Sequence, residues 1–117
     1  MRKFIVSGFL FVVSGLTQAA EFKTESKGGK SLDLIFDEAQ ISRSTKHATL
    51  CSNLDVGFTK LKLWMTVHNH GSTPTKLTTV SSQCAAVDKI NFVMSGSWDL
   101  QVEMNDGDTA VFSVNVP

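Results

Sequence analysis

The sequence predicts an all-β fold, a small sandwich of six or seven strands. Three observations predict it. Short stretches alternate apolar and polar residues with the period of a half-buried strand, and clusters of Gly, Ser, Asn and Asp separate them. No stretch sustains a helical period. Once an N-terminal targeting segment is set aside, just under a hundred of the 117 residues remain, enough for one small domain.

That targeting segment is residues 1–20. Arg2 and Lys3 supply a positive start, Phe4 to Leu16 is an apolar run broken by Ser7, Gly8, Ser14 and Gly15, and Ala19 and Ala20 offer a cleavage site. The run is roughly two-thirds of the ~20 residues that span a bilayer, so a cleaved secretory signal is the better reading than a retained helix. No cysteine stands at the cut, which disfavours a lipoprotein. The expected location is periplasmic or secreted, with no membrane span after cleavage.

Residues 21–30 (EFKTESKGGK) are polar and end in Gly28-Gly29, and read as a flexible lead-in to a domain over residues 31–117. Leu32, Leu34 and Phe36 mark a first strand over Ser31–Phe36. Asp37–His47 is polar and reads as a loop or at most one helical turn. Ala48–Phe58 alternates imperfectly and is taken as a strand plus turn. Lys60–Val67 is the clearest early strand, with Leu61, Leu63, Met65 and Val67 on one face. Asn69–Ser72 then carries turn chemistry and Pro74 cannot donate to a ladder. Thr75–Val80 is short and β-branched, and Ser81–Val87 reads as a loop. Ile90, Phe92 and Met94 alternate, Ser95-Gly96 turns the chain, and Trp98, Leu100, Val102 and Met104 alternate again. Asn105–Asp108 is a hairpin connection, and Ala110, Phe112, Val114 and Val116 close the domain.

Charge narrows the partners. Eleven basic residues balance eleven acidic ones, and losing Arg2 and Lys3 leaves nine against eleven. A domain two charges negative has no basic face for phosphates, which argues against nucleic acid. Cys51 and Cys84 are the only cysteines. In an exported chain their default is a disulfide. Two thiolates holding copper or working in redox chemistry are the alternative, without the usual C-x-x-C spacing.

Candidate chemistry gathers between Leu63 and Pro74. His68-x-His70 would put two imidazoles on one side of an extended chain, close enough to share a metal ion. Met65 and Met94 could add thioethers, which favour Cu(I). Against this, alternation turns Met65 into the core with Leu63 and Val67 and leaves His68 on the other face beside Trp64. Met94 falls in register with Phe92, where a core role is ordinary. Trp98 heads an apolar face and reads as core. Trp64, with the turn at Gly71, could form a partner surface. His47 lies in a polar loop and reads as solvated. Asn105–Asp108 lacks the further oxygen ligands of a calcium loop. No nucleophile elbow, zinc-protease helix or phosphate loop is present, so the chain does not read as an enzyme.

Trp64-Met65, His68-Asn69-His70-Gly71-Ser72 and Pro74 resemble the W-M-P-x-x-G-H-G-S-x-P segment of YtkA-like domains. Ile90 to Trp98 resembles the family's x-x-F-x-M-x-G-x-W segment, and Asp106 to Phe112 its last hairpin. The likeness covers roughly Lys60 to Pro117, and its motif positions here are His70, Gly71, Ser72, Pro74, Met94, Gly96 and Trp98. Thr66 and Asn69 depart from it, where the family often has Pro and Gly. His68 falls near a position often Met or His. The resemblance implies an immunoglobulin-like sandwich, exported or tethered at bacterial membranes, similar to FixH-type accessory proteins associated with copper delivery and oxidase maturation. The expectation is thus an exported module handling copper through His68 and His70, with Met65 and Met94 as soft ligands. The alternative is a metal-free structural or protein-interaction accessory domain of an envelope complex.

Overall fold

The computed structural model describes residues 19–117; the signal predicted for residues 1–20 lies outside them save for Ala19 and Ala20. The described residues form nine strands and no helix: β1 (Glu21–Glu25), β2 (Ser31–Phe36), β3 (Ala48–Ser52), β4 (Phe58–Met65), β5 (His70–Gly71), β6 (Lys76–Thr79), β7 (Cys84–Asp88), β8 (Gly96–Met104) and β9 (Thr109–Val116). They make two antiparallel sheets, ordered β1-β2-β3-β7-β6 and β5-β4-β8-β9. With β1 set aside, this is the A-B-E-D and C′-C-F-G connectivity of an immunoglobulin-like sandwich. Among the described residues no helix is long and apolar enough to cross a membrane.

Alternation builds the layers. Leu32, Leu34 and Phe36 of β2 and Leu50 of β3 face Leu61, Leu63, Trp98, Leu100, Phe112 and Val114 across the sandwich, all buried. Each such side chain, taken out of water, stabilises by roughly 1.5–3 kcal/mol. Trp98 is fully buried, with its indole Nε1–H donating to the Met94 carbonyl at 2.9 Å.

The fold departs from the sequence reading in five places. Glu21–Lys30 is not a flexible lead-in: Glu21–Glu25 pairs with β2, and Phe22 packs edge-on against Phe36 at 5.8 Å. The polar side chains of this strand hide its nature because it lies at a sheet edge, where one face is wet. Cys84 opens β7 instead of sitting in a loop, since its partner β3 supplies a ladder from Cys51 to Ala48. Ile90–Met94 keeps its alternation, with Ile90 and Phe92 buried, but pairs with no strand. Val67 leaves the core face and stands 81 % exposed, because the chain already reverses at Thr66–Asn69. These changes and the two-residue β5 bring the strand count from six or seven to nine.

Two long-range ties lock the sandwich. Cys51 and Cys84 are direct cross-strand partners in β3 and β7 and are joined by a disulfide. At the β1–β2 turn, the Asp108 carboxylate accepts hydrogen bonds from Ser26 Oγ (2.6 Å), Gly28 N, Lys30 Nζ and Thr109 N (each 2.9 Å). These bonds, the Ser26 hydroxyl first and the Lys30 ammonium next, hold the Asp108 carboxyl well below the usual carboxylate range. The β1–β2 turn is thereby pinned to the β8–β9 hairpin.

Candidate functional site

The four-residue reversal Thr66–Asn69 decides what the site contains. Asn69 N donates to Thr66 O at 3.2 Å, and Asn69 takes φ 52°, a left-handed conformation asparagine tolerates. The turn feeds β5 back along β4, so that His70 stands directly opposite Met65 and Gly71 opposite Trp64. Residues directly opposite in an antiparallel ladder put their side chains on the same face. His70 is therefore carried to the core-facing side that Met65 occupies. An extended chain through Val67 could not have done this.

There the His70 imidazole meets a second methionine. Its Nε2 lies 3.4 Å from Met94 Sδ, and its ring stands edge-on to Trp98 with centroids 6.0 Å apart. The Nδ1 side is 3.1 Å from the Gly71 carbonyl, which can only accept. In the tautomer that donates from Nδ1, Nε2 turns its lone pair toward the thioether sulfur, itself an acceptor. In that tautomer two lone-pair donors converge. A soft cation would satisfy both, and an imidazole whose other nitrogen donates to a backbone carbonyl is the usual arrangement of a metal-bound histidine.

Met94 is held in place from several sides. Its carbonyl receives the Trp98 indole, the Arg43 guanidinium donates to Val93 O at 3.0 Å, and Ser72 Oγ donates to Asn91 O at 2.5 Å. The segment after Ile90 therefore needs no strand partner to keep its shape. Gly96 follows with φ 128°, and a Cβ there would lie 2.8 Å from Met65 Cε. Met65 is fully buried and its methyl packs against that glycine, so the thioether lies in the core beneath the hairpin.

His68 is exposed at the turn, its ring centroid 6.0 Å from that of His70. The structure thus brings His70 and Met94 into contact, keeps His68 one ring away, and sets Met65 in the wall. Among the described residues no three His, Cys, Asp or Glu side chains are grouped to hold a metal, so an ion here must draw on the methionines. Trp64 is half-buried, with Lys62 Nζ 5.0 Å above its ring; a Cβ on Gly71 would come within 3.2 Å of that ring. Gly71 lets the indole lie over β5, and both residues stay partly exposed. Asn69, Gly96 and Arg43 have roles that the spacing of histidines and methionines does not signal.

The class these features define is an all-β sandwich carrying an imidazole–thioether contact at one hairpin. Comparison with known proteins finds no matching family model, no matching curated protein and no matching solved structure.

Proposed function

We propose that this is an exported binding module that handles a soft copper ion, Cu(I) above all, at the β4–β5 hairpin. His70 Nε2 and Met94 Sδ are its principal ligands, His68 is a second imidazole at the mouth, and Met65 is a thioether in reserve. The observation that carries the reading is the 3.4 Å approach of Nε2 to Sδ, with Nδ1 set 3.1 Å from the Gly71 carbonyl. A nitrogen–thioether set favours Cu(I) over hard cations such as magnesium. The signal-like residues 1–20 and the resemblance to YtkA-like domains support an envelope location and the same chemistry. Bound copper would supply a redox-active or transferable ion. The chain's own residues orient the imidazole, shield the thioether and, through Trp98, fix the Met94 backbone.

Competition titration with a chromogenic Cu(I) chelator tests this on the purified domain. The wild type should compete, and a His70→Ala, Met94→Leu variant should lose most of that affinity. Unchanged affinity in a His68→Ala, His70→Ala double variant would sink the proposal.

A second reading, a metal-free interaction module, draws on Val67, whose side chain stands 81 % exposed at the hairpin tip. It predicts no copper-dependent change at His70 or Met94 and loss of a partner on Val67→Ser.

A further inference from the structure

Met65, Met94 and Met104 are the methionines among the described residues, and the fold treats them differently. Met65 and Met104 are 1 % and 3 % exposed, whereas Met94 is half-buried between the exposed Val93 and Ser95. Oxidation of a thioether follows access, so Met94 is the sulfur that an oxidant in water meets. Its position is also fixed. The Trp98 indole holds the Met94 carbonyl, the Arg43 guanidinium holds Val93 O, and Met65 packs under Gly96. The His70 imidazole stands on one side of the sulfur, with Nε2 3.4 Å from Sδ. An oxygen added on that side would lie closer to Nε2 than the roughly 2.7 Å of a short hydrogen bond. The room for it is on the side turned away from His70.

From this geometry we infer that Met94 is a site of reversible, one-sided oxidation, whose sulfoxide forms as a single epimer. The oxidant is a peroxide. The sulfur lone pair facing away from His70 attacks a peroxide oxygen, the O–O bond breaks and an S–O bond forms. Sulfur loses two electrons, and the rest of the hydrogen peroxide takes them and leaves as water. Reversal is the work of a methionine sulfoxide reductase, in which two thiols become a disulfide and the added oxygen leaves as water. Each such reductase takes one epimer, so the fold decides which of the two returns Met94 to the thioether. A methionine whose sulfur turns freely gives both epimers and needs both enzymes. On the copper reading, the sulfoxide presents a hard oxygen in place of the soft sulfur and weakens Cu(I) binding until it is reduced. That consequence rests on the copper reading; the one-sided oxidation does not.

The test treats the metal-free protein with hydrogen peroxide and follows its peptides by mass spectrometry. Met94 should gain oxygen about tenfold or more faster than the buried Met65 and Met104. The oxidised protein is then unfolded, digested and divided between the two epimer-specific reductases. One should remove nearly all of the Met94 sulfoxide and the other nearly none. Protein oxidised in urea supplies the reference, with both epimers at all three positions. His70→Ala uncovers the second side and should move Met94 toward that mixture, while His70→Phe keeps a ring beside the sulfur and should keep one epimer in excess. An even mixture at Met94 in the native wild type overturns the inference without recourse to any variant. So does oxidation of Met65 or Met104 as fast as Met94, or a single epimer retained in His70→Ala. Copper is absent throughout, so this inference and the metal proposal fail separately.

Discussion

Replacing both Cys51 and Cys84 by alanine should destabilise the domain by about 3–4 kcal/mol. The figure follows from the loop that the disulfide closes: the two residues are 33 apart, and the chain-entropy relation places such a loop between the roughly 3 kcal/mol of a 15-residue and the 4.7 of a 100-residue closure. The cysteines already face each other in the β3–β7 ladder, so the native strands have no need to move when the cross-link goes. The effect then falls on the unfolded chain, which regains the freedom of everything between β3 and β7, including the β4–β5 hairpin. For a domain near a hundred residues this corresponds to a melting temperature lower by roughly 15–30 °C. Urea denaturation of oxidised wild type, reduced wild type and the double variant provides the assay. The reduced protein and the variant should agree within about 1 kcal/mol, both well below the oxidised form. An oxidised wild type no more stable than the variant would refute the reasoning. So would ready alkylation of both cysteines in the native oxidised protein.

Asp108 makes a prediction about acid. Its carboxyl titrates below the ordinary 3.8 in the folded state, so its stabilising contribution is complete above that value and fades as pH falls further, when the folded form must take up the proton. Acid titration followed by tryptophan fluorescence should show an Asp108→Asn variant less stable at neutral pH but with a flatter stability profile below about pH 4; parallel profiles would contradict this. Gly96→Ala forces a side chain into φ 128° and onto Met65 Cε, and should cost about 1–3 kcal/mol in urea melts. Trp98→Phe removes the indole N–H from the Met94 carbonyl and should destabilise by about 1–3 kcal/mol, with lower Cu(I) affinity as Met94 loosens. Val67→Ser, at the exposed hairpin tip, should leave the melting temperature nearly unchanged, within about 0.5 kcal/mol.

The strands that alternate against a full core were legible from residue order alone. β2, β8 and β9 fall where Leu32–Phe36, Trp98–Met104 and Ala110–Val116 put them, because a strand with one buried face must repeat every second residue. Glu21–Glu25 was not legible, since an edge strand with wet side chains looks like a tail. Ile90 and Phe92 show the converse: alternation marks which side chains go in, and hydrogen-bonded pairing is a separate matter. The candidate site was half legible. His70 and Met94 are recognisable by residue type, and burial of Met65 follows from its register with Leu61 and Leu63. Which histidine joins which methionine depends on a reversal three residues earlier than the Asn69–Ser72 turn chemistry suggests. That reversal rests on Asn69 adopting a left-handed conformation, which no period reports. Had the strand run through Val67, His68 and His70 would have stood together on the far face from Met65.

X-ray absorption at the copper edge of the Cu(I)-loaded domain tests the central proposal most directly, because it distinguishes sulfur from nitrogen neighbours without reference to stability. The account predicts a mixed shell of imidazole nitrogen and thioether sulfur in the oxidised protein, whose cysteines are tied up in the disulfide. The sulfur contribution should drop in Met94→Leu and the imidazole contribution in His70→Ala. A shell of nitrogen and oxygen alone, unchanged by Met94→Leu, would contradict it.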